Sequence, residues 1–187
     1  MRRTLLTLTI ALLPALTTAQ SWHPPEEFTA IALSPGGPFS SPVSGRLVIT
    51  IDRWSTEAER QRLLDAVKEG QDAALEVMRH LPVVGTIRTP TSLAWDLHYA
   101  HQQSGEDGGR QIFLATDRPI GAAEAVNRPR TILYPFTLVE LRLDENGAGE
   151  GKLSRAVRVT SSKDGRYISL ENYEGRPVDL TEVKPRD

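Results

Sequence analysis

Arg46-Leu47-Val48-Ile49-Thr50-Ile51-Asp52-Arg53 is followed almost at once by Ser55-Thr56-Glu57-Ala58-Glu59, and at this junction a strand gives way to a helix. In the first run Leu47, Ile49 and Ile51 alternate with Val48, Thr50 and Asp52, the period of a half-buried strand. In the second, Thr56 with Glu59 three residues on fits a capping box, and the acids suit the positive end of a helix. Leu63, Val67, Gly70, Ala74, Val77 and Leu81 then recur at spacings of four and three and draw one apolar stripe. Arg60, Asp65, Lys68, Glu69 and Asp72 mostly take the other side, and Pro82 stops the run. Gly70 either breaks the helix in two or lets its backbone approach a sheet closely.

Beyond Pro82 the pattern changes to short alternating runs: Val83 to Arg88, Ser92 to His101, Arg110 to Asp117, Thr131 to Leu143, Lys152 to Thr160, Arg166 to Tyr173 and Val178 to Val183. Turn signals separate them, the strongest being Asp164-Gly165 between Val157/Val159 and Ile168/Leu170, a two-residue hairpin signature. Gly121 to Asn127 reads as one helical turn or two. Gaps this short leave no room for crossover helices, so the sheet is antiparallel. The expected fold class is α+β: one long amphipathic helix packed on a mainly antiparallel, curved sheet or partly open β-barrel.

Toward the N-terminus, Arg2 and Arg3 precede an apolar run from Leu5 to Leu16, with small residues at Thr17 and Ala19. This is the outline of a secretory signal cleaved after Ala19, too short for a membrane span. The expected organisation is a signal peptide over 1–19, a Pro/Ser/Gly-rich arm over 20–45 with a possible edge strand at Phe28 to Leu33, and a single α+β domain over 46–187. The 187 residues carry 25% charge at a mean hydropathy of −0.32, a soluble globular composition. The net charge is −2. The leader holds two of the 22 basic residues and no acid, which leaves 20 basic against 24 acidic side chains and a net charge of −4. No basic footprint for nucleic acid exists. Cysteine is absent, which excludes disulfides, thiol nucleophiles, Fe–S clusters and thiolate zinc sites.

Candidate chemistry is sparse. Trp95-Asp96-Leu97-His98-Tyr99-Ala100-His101 holds two of the four histidines. On a helix they would share a face, but the alternation favours a strand, where they point apart and cannot hold one metal. Asp144-Glu145-Asn146-Gly147-Ala148-Gly149 has the outline of a calcium loop, but Ala148 and Arg155 stand where oxygen ligands belong, so a hairpin turn explains it. Nucleophile elbows, His-Glu-x-x-His and phosphate-cradling glycine patterns are missing. No cofactor or metal is implied. Ala115-Thr116-Asp117-Arg118-Pro119 and Asn127-Arg128-Pro129-Arg130 remain. They flank one connection, so Asp117, Arg118, Arg128 and Arg130, with Trp95 or His98 as a wall, form the expected site for an anionic ligand. The competing reading is a network that organises the turn.

Arg53-Trp54-Ser55-Thr56, Gly85-Thr86-Ile87-Arg88, Leu114-Ala115-Thr116-Asp117-Arg118-Pro119-Ile120, Asn127-Arg128-Pro129-Arg130, Tyr134-Pro135-Phe136-Thr137-Leu138 and Leu170-Glu171-Asn172-Tyr173 together resemble a family of exported bacterial proteins of unknown function. The resemblance implies export and carries no chemistry. The leading expectation is an exported, periplasmic or secreted, non-catalytic protein that binds a small molecule or an envelope protein, or has a structural role. It has no membrane span after signal removal. The alternatives are a hydrolase or isomerase using Asp96, His98 and Asp117, and a carrier of a small apolar molecule enclosed by the sheet. Exported material should begin at or near Gln20, which intact-mass measurement checks; retention of Met1 in that material would refute the cleavage.

Overall fold

The computed structural model describes residues 23–34, 43–105, 108–120, 133–162, 168–173 and 175–186. Antiparallel strand accounts for 52% of it, arranged as a nearly closed barrel of nine strands, with two short helices. In chain order the elements are β1 (Glu26–Ser34), β2 (Val43–Ile51), α1 (Glu57–Glu69), α2 (Gln71–His80), β3 (Gly85–Arg88), β4 (Trp95–Leu97), β5 (Tyr99–Ser104), β6 (Arg110–Thr116), β7 (Phe136–Leu143), β8 (Gly149–Ser161), β9 (Ile168–Asn172) and β10 (Val178–Pro185). The barrel order is β4-β3-β2-β1-β10-β8-β7-β6-β5, and β9 pairs with β8 outside it.

The expected α+β class with one long amphipathic helix is therefore corrected to a mostly β fold. The cause is Gly70. It caps α1 and begins α2 at φ 140°, a conformation that side chains other than glycine rarely adopt. A Cβ added there would meet nothing within 4 Å, so Gly70 serves the break and not a close approach to the sheet. A second correction concerns the N-terminal strand. β1 is no edge: it pairs with β2 from Glu26↔Ile51 to Ser34↔Val43 and with β10 on its other side. The third concerns the run from Ser92 to His101, which is two strands meeting at His98. β4 pairs with β3 and β5 with β6, so the two ends of the sheet come together at this joint. The His98 N–H bonds Ala115 O at 3.0 Å, and Ser55 bridges the far side of β5 through its N–H to Ala100 O at 2.8 Å.

Inward-facing side chains follow the alternation of each strand. Phe28, Ile49, Ile51, Ile87, Leu141 and Leu180 are all buried and fill the interior, with Trp54 and Trp95 packed against its margin. One charged side chain shares that interior. Arg110 on β6, 5% exposed, donates both terminal nitrogens to Glu26 on β1 and one of them also to Gln102 Oε1 at 3.0 Å. Its guanidinium lies 5.5 Å over the Phe28 ring. β6 and β1 are not neighbours in the sheet, so this pair spans the barrel.

The Asp164-Gly165 turn and the Gly121 to Asn127 segment lie outside the described residues. The strands flanking the former pair antiparallel, with Val159 opposite Leu170.

Breaking a buried ion pair strands the remaining charge, at a cost of about 3–5 kcal/mol. Arg110→Met should therefore lower the melting temperature by about 10 °C, and adding Glu26→Leu should recover most of the loss. A single variant within about 2 °C of the parent would show that the pair is not a tie.

Candidate functional site

Both helices lie on the outside of the barrel. Leu63 and Val67 of α1 and Ala74 and Met78 of α2 meet Ala115, Phe136, Val157 and Val159 on the outer face of β6, β7 and β8. The capping box of α1 is formed: Glu59 N–H donates to Thr56 Oγ1 at 3.2 Å, and Thr56 N–H to Glu59 Oε2 at 2.8 Å. Glu59 also takes two parallel 3.0 Å bonds from Arg53. These Arg53 bonds outweigh partial burial and, with the Thr56 N–H, hold the Glu59 carboxyl below its ordinary value of 4.5.

α2 is anchored at both ends. Gln71 donates to Leu133 O at 3.2 Å and accepts the Val159 N–H at 3.2 Å, a donor that the ladder of β7 no longer reaches once it ends at Phe136. At the other end, Leu81 O receives a 3.0 Å bond from His98 Nδ1. A carbonyl only accepts, so Nδ1 carries the hydrogen. His98 Nε2 faces Asp117 Oδ1 at 3.8 Å, Arg118 Nε lies 3.5 Å from the same oxygen, and Arg79 Nε lies 3.8 Å from Oδ2.

Of the residues expected to form a site, the structure thus brings together His98, Asp117 and Arg118. Trp95 packs against the barrel core, Asp96 is exposed on β4, and Arg128 and Arg130 lie outside the described residues. Arg79 belongs to the cluster and escapes a reading along the chain, because α2 carries it in from 38 positions before Asp117. Thr137, fully buried, holds the turn that follows Asp117: its hydroxyl lies 2.8 Å from both Arg118 O and Arg155 O and accepts the Ile120 N–H at 3.0 Å. The cluster has the partners of a turn organiser and of a clasp on α2. His98 is held through Nδ1 on Leu81 O, and no hydroxyl among the described residues bonds to it. Among those residues no three His, Asp or Glu side chains gather as metal ligands.

Two openings are better formed. A polar cleft of about 520 Å³ lies at the ends of β5, β6 and β7, lined by Ser104, Gly105, Arg110, Gln111, Arg142 and Leu143. Its guanidinium groups already face carboxylates, Arg110 against Glu26 and Arg142 against Glu140. The other opening is an apolar groove of about 150 Å³ between the helices and the outer face of the sheet. Leu63, Leu64 and Val67 form one wall, Ala74 and Met78 another, and Tyr99, Ala115, Phe136, Leu138 and Val159 the floor. Leu170, 57% exposed on β9, is its rim. Arg60, expected on the polar side of α1, lines this groove. The break at Gly70 lets the helices diverge above it.

Comparison with protein-family models, curated proteins and solved structures yields no match. No helix among the described residues is long and apolar enough to cross a membrane.

The Glu59 fork fixes the first turn of α1 and hence one wall of the groove. A carboxyl held low in the folded state stabilises above its unfolded value, and the contribution is lost as pH falls through the folded value. Glu59→Gln can preserve the reciprocal cap while removing the charge and one of the two acceptors that face Arg53. It should lower the melting temperature by about 2 °C at pH 7, with the gap to the parent closing as pH falls below the ordinary carboxyl value of 4.5. A gap that stays constant down to pH about 2 would contradict the ion pair.

Proposed function

We propose that this is an exported, non-catalytic binding protein of the bacterial envelope whose ligand places an apolar group in the groove beneath α1 and α2. The observation that carries the reading is the groove itself: about 150 Å³ lined almost wholly by aliphatic and aromatic side chains, beside an exposed leucine. A space of that size holds one aromatic ring or a short branched chain, below the usual volume of a drug-sized pocket. Among the described residues the barrel interior is filled by side chains such as Phe28, Ile49, Ile51, Leu141 and Leu180. A carrier of the kind that encloses its cargo within the sheet therefore gives way to binding on the outside. Acid–base catalysis by Asp96, His98 and Asp117 has less support, because Asp96 is exposed on β4 and does not join His98 and Asp117 in the cluster.

Titration with toluene, followed by methyl NMR, should shift Leu63, Val67 and Leu138 and leave Ile49, Leu141 and Leu180 unmoved. Ala115→Phe, which fills the floor of the groove, should abolish the shifts while the melting temperature stays within about 3 °C of the parent. Shifts confined to the interior methyls would overturn the reading.

A further inference from the structure

We propose that the groove takes a small amphipathic acid, its apolar body beneath the helices and its carboxylate on Arg60. This rests on the groove being the ligand site and adds the ligand's chemical class. Arg60 is the charged residue among those lining the groove and Tyr99 the one with a hydroxyl; the lining itself is almost wholly apolar, so both polar ends stand at its edge. Arg60 stands at the fourth position of α1, its side chain 33% exposed, so its aliphatic stem can follow the apolar wall while its head stays at the rim.

The guanidinium has five N–H groups. One terminal nitrogen donates to Glu57 at 3.0 Å, in an i,i+3 pair with Glu57 73% exposed. Such a pair contributes little and is readily exchanged for another carboxylate. Tyr99 shares this end. Burial pushes its hydroxyl pKa up, against the opposing influence of Arg60, so at neutral pH it remains protonated and able to donate. His101 stacks on Tyr99 at 6.4 Å between centroids. Burial, then the charge of Arg60, pushes the His101 pKa down, which leaves Arg60 as the cation at this rim and Glu57 as the competing anion. A volume of about 150 Å³ admits a phenyl ring or a short branched chain and excludes a long acyl chain. Aryl and short branched-chain carboxylic acids meet both limits.

The experiment compares phenylacetate with toluene on the full chain, read from the Leu63, Val67 and Leu138 methyl resonances. Phenylacetate should bind at least about tenfold more tightly than toluene, the margin expected of a charge-assisted contact, and the margin should shrink in high salt. Arg60→Gln should remove the margin, read as the ratio of the two affinities in the same variant. Glu57→Gln, outside the groove lining, should tighten phenylacetate about threefold by removing the competitor. Equal binding of the two probes, or an undiminished margin in Arg60→Gln, overturns the acid proposal and leaves the groove reading standing. Binding of neither probe overturns both.

Discussion

Closure of the barrel depends on one stretch of chain belonging to both ends of the sheet. β4 completes the ladder of β3, β5 completes that of β6, and the chain passes from one to the other at His98. An unpaired strand edge would leave rows of donors and acceptors exposed. Here Val84 N–H to Leu97 O extends the β3–β4 ladder, His98 N–H to Ala115 O extends the β5–β6 ladder, and Ser55, which follows β2, ties across to Ala100 of β5. Once the ends meet, the inward positions of every strand face one enclosed volume, and aliphatic side chains fill it. The Arg110–Glu26 pair is tolerated in that volume because each partner is held within hydrogen-bonding reach of the other and Gln102 takes a further donor. Among the described residues the interior is packed with side chains, which is why the proposed ligand site lies on the outer surface.

The outer face of β5 to β8 is the place where that surface is apolar. Ala115, Phe136, Leu138, Val157 and Val159 would otherwise be exposed to water, and the two helices cover them. A single straight helix would lie flat across this face. Gly70 divides it, and the two halves are fixed by different groups: Arg53 and Thr56 at the start of α1, Gln71 and the His98–Leu81 bond at the two ends of α2. The groove is what two separately anchored helices leave uncovered. Its shape therefore depends on polar contacts at its ends as much as on the leucines that line it.

This division explains which parts of the molecule can be read in the sequence. Strand alternation and the Thr56–Glu59 cap are local, and both appear where the chain places them. The stripe from Leu63 to Leu81 also survives, since all its residues except Gly70 contribute to the outer cluster, although the helix carrying it is broken. Position in the sheet is not local: Phe28 to Leu33 reads as an edge, yet β10, the last strand of the chain, returns to cover it. Nothing local marks Arg110 as buried; its pairing with Glu26 appears only once the barrel closes around it. Of the expected site, Asp117, Arg118 and His98 meet because strand ends converge. Arg79 joins them only through the packing of α2, which no spacing in the sequence announces.

Arg60 shows the same limit from the functional side. On a helical wheel it falls among the charged residues and reads as solvated. The outer sheet face extends past the apolar stripe of α1, so a residue at the stripe's margin becomes part of the wall, with its stem on the leucines and its charge at the rim. A charge at that margin has a different consequence from one in open solvent. Beside Tyr99 and the apolar floor, the low-polarity surroundings strengthen its attraction for a carboxylate, and the exposed Glu57 on the opposite side is a weak rival. The same geometry that hides Arg60 from a reading of helical faces is the ground for proposing it as the polar determinant of the groove.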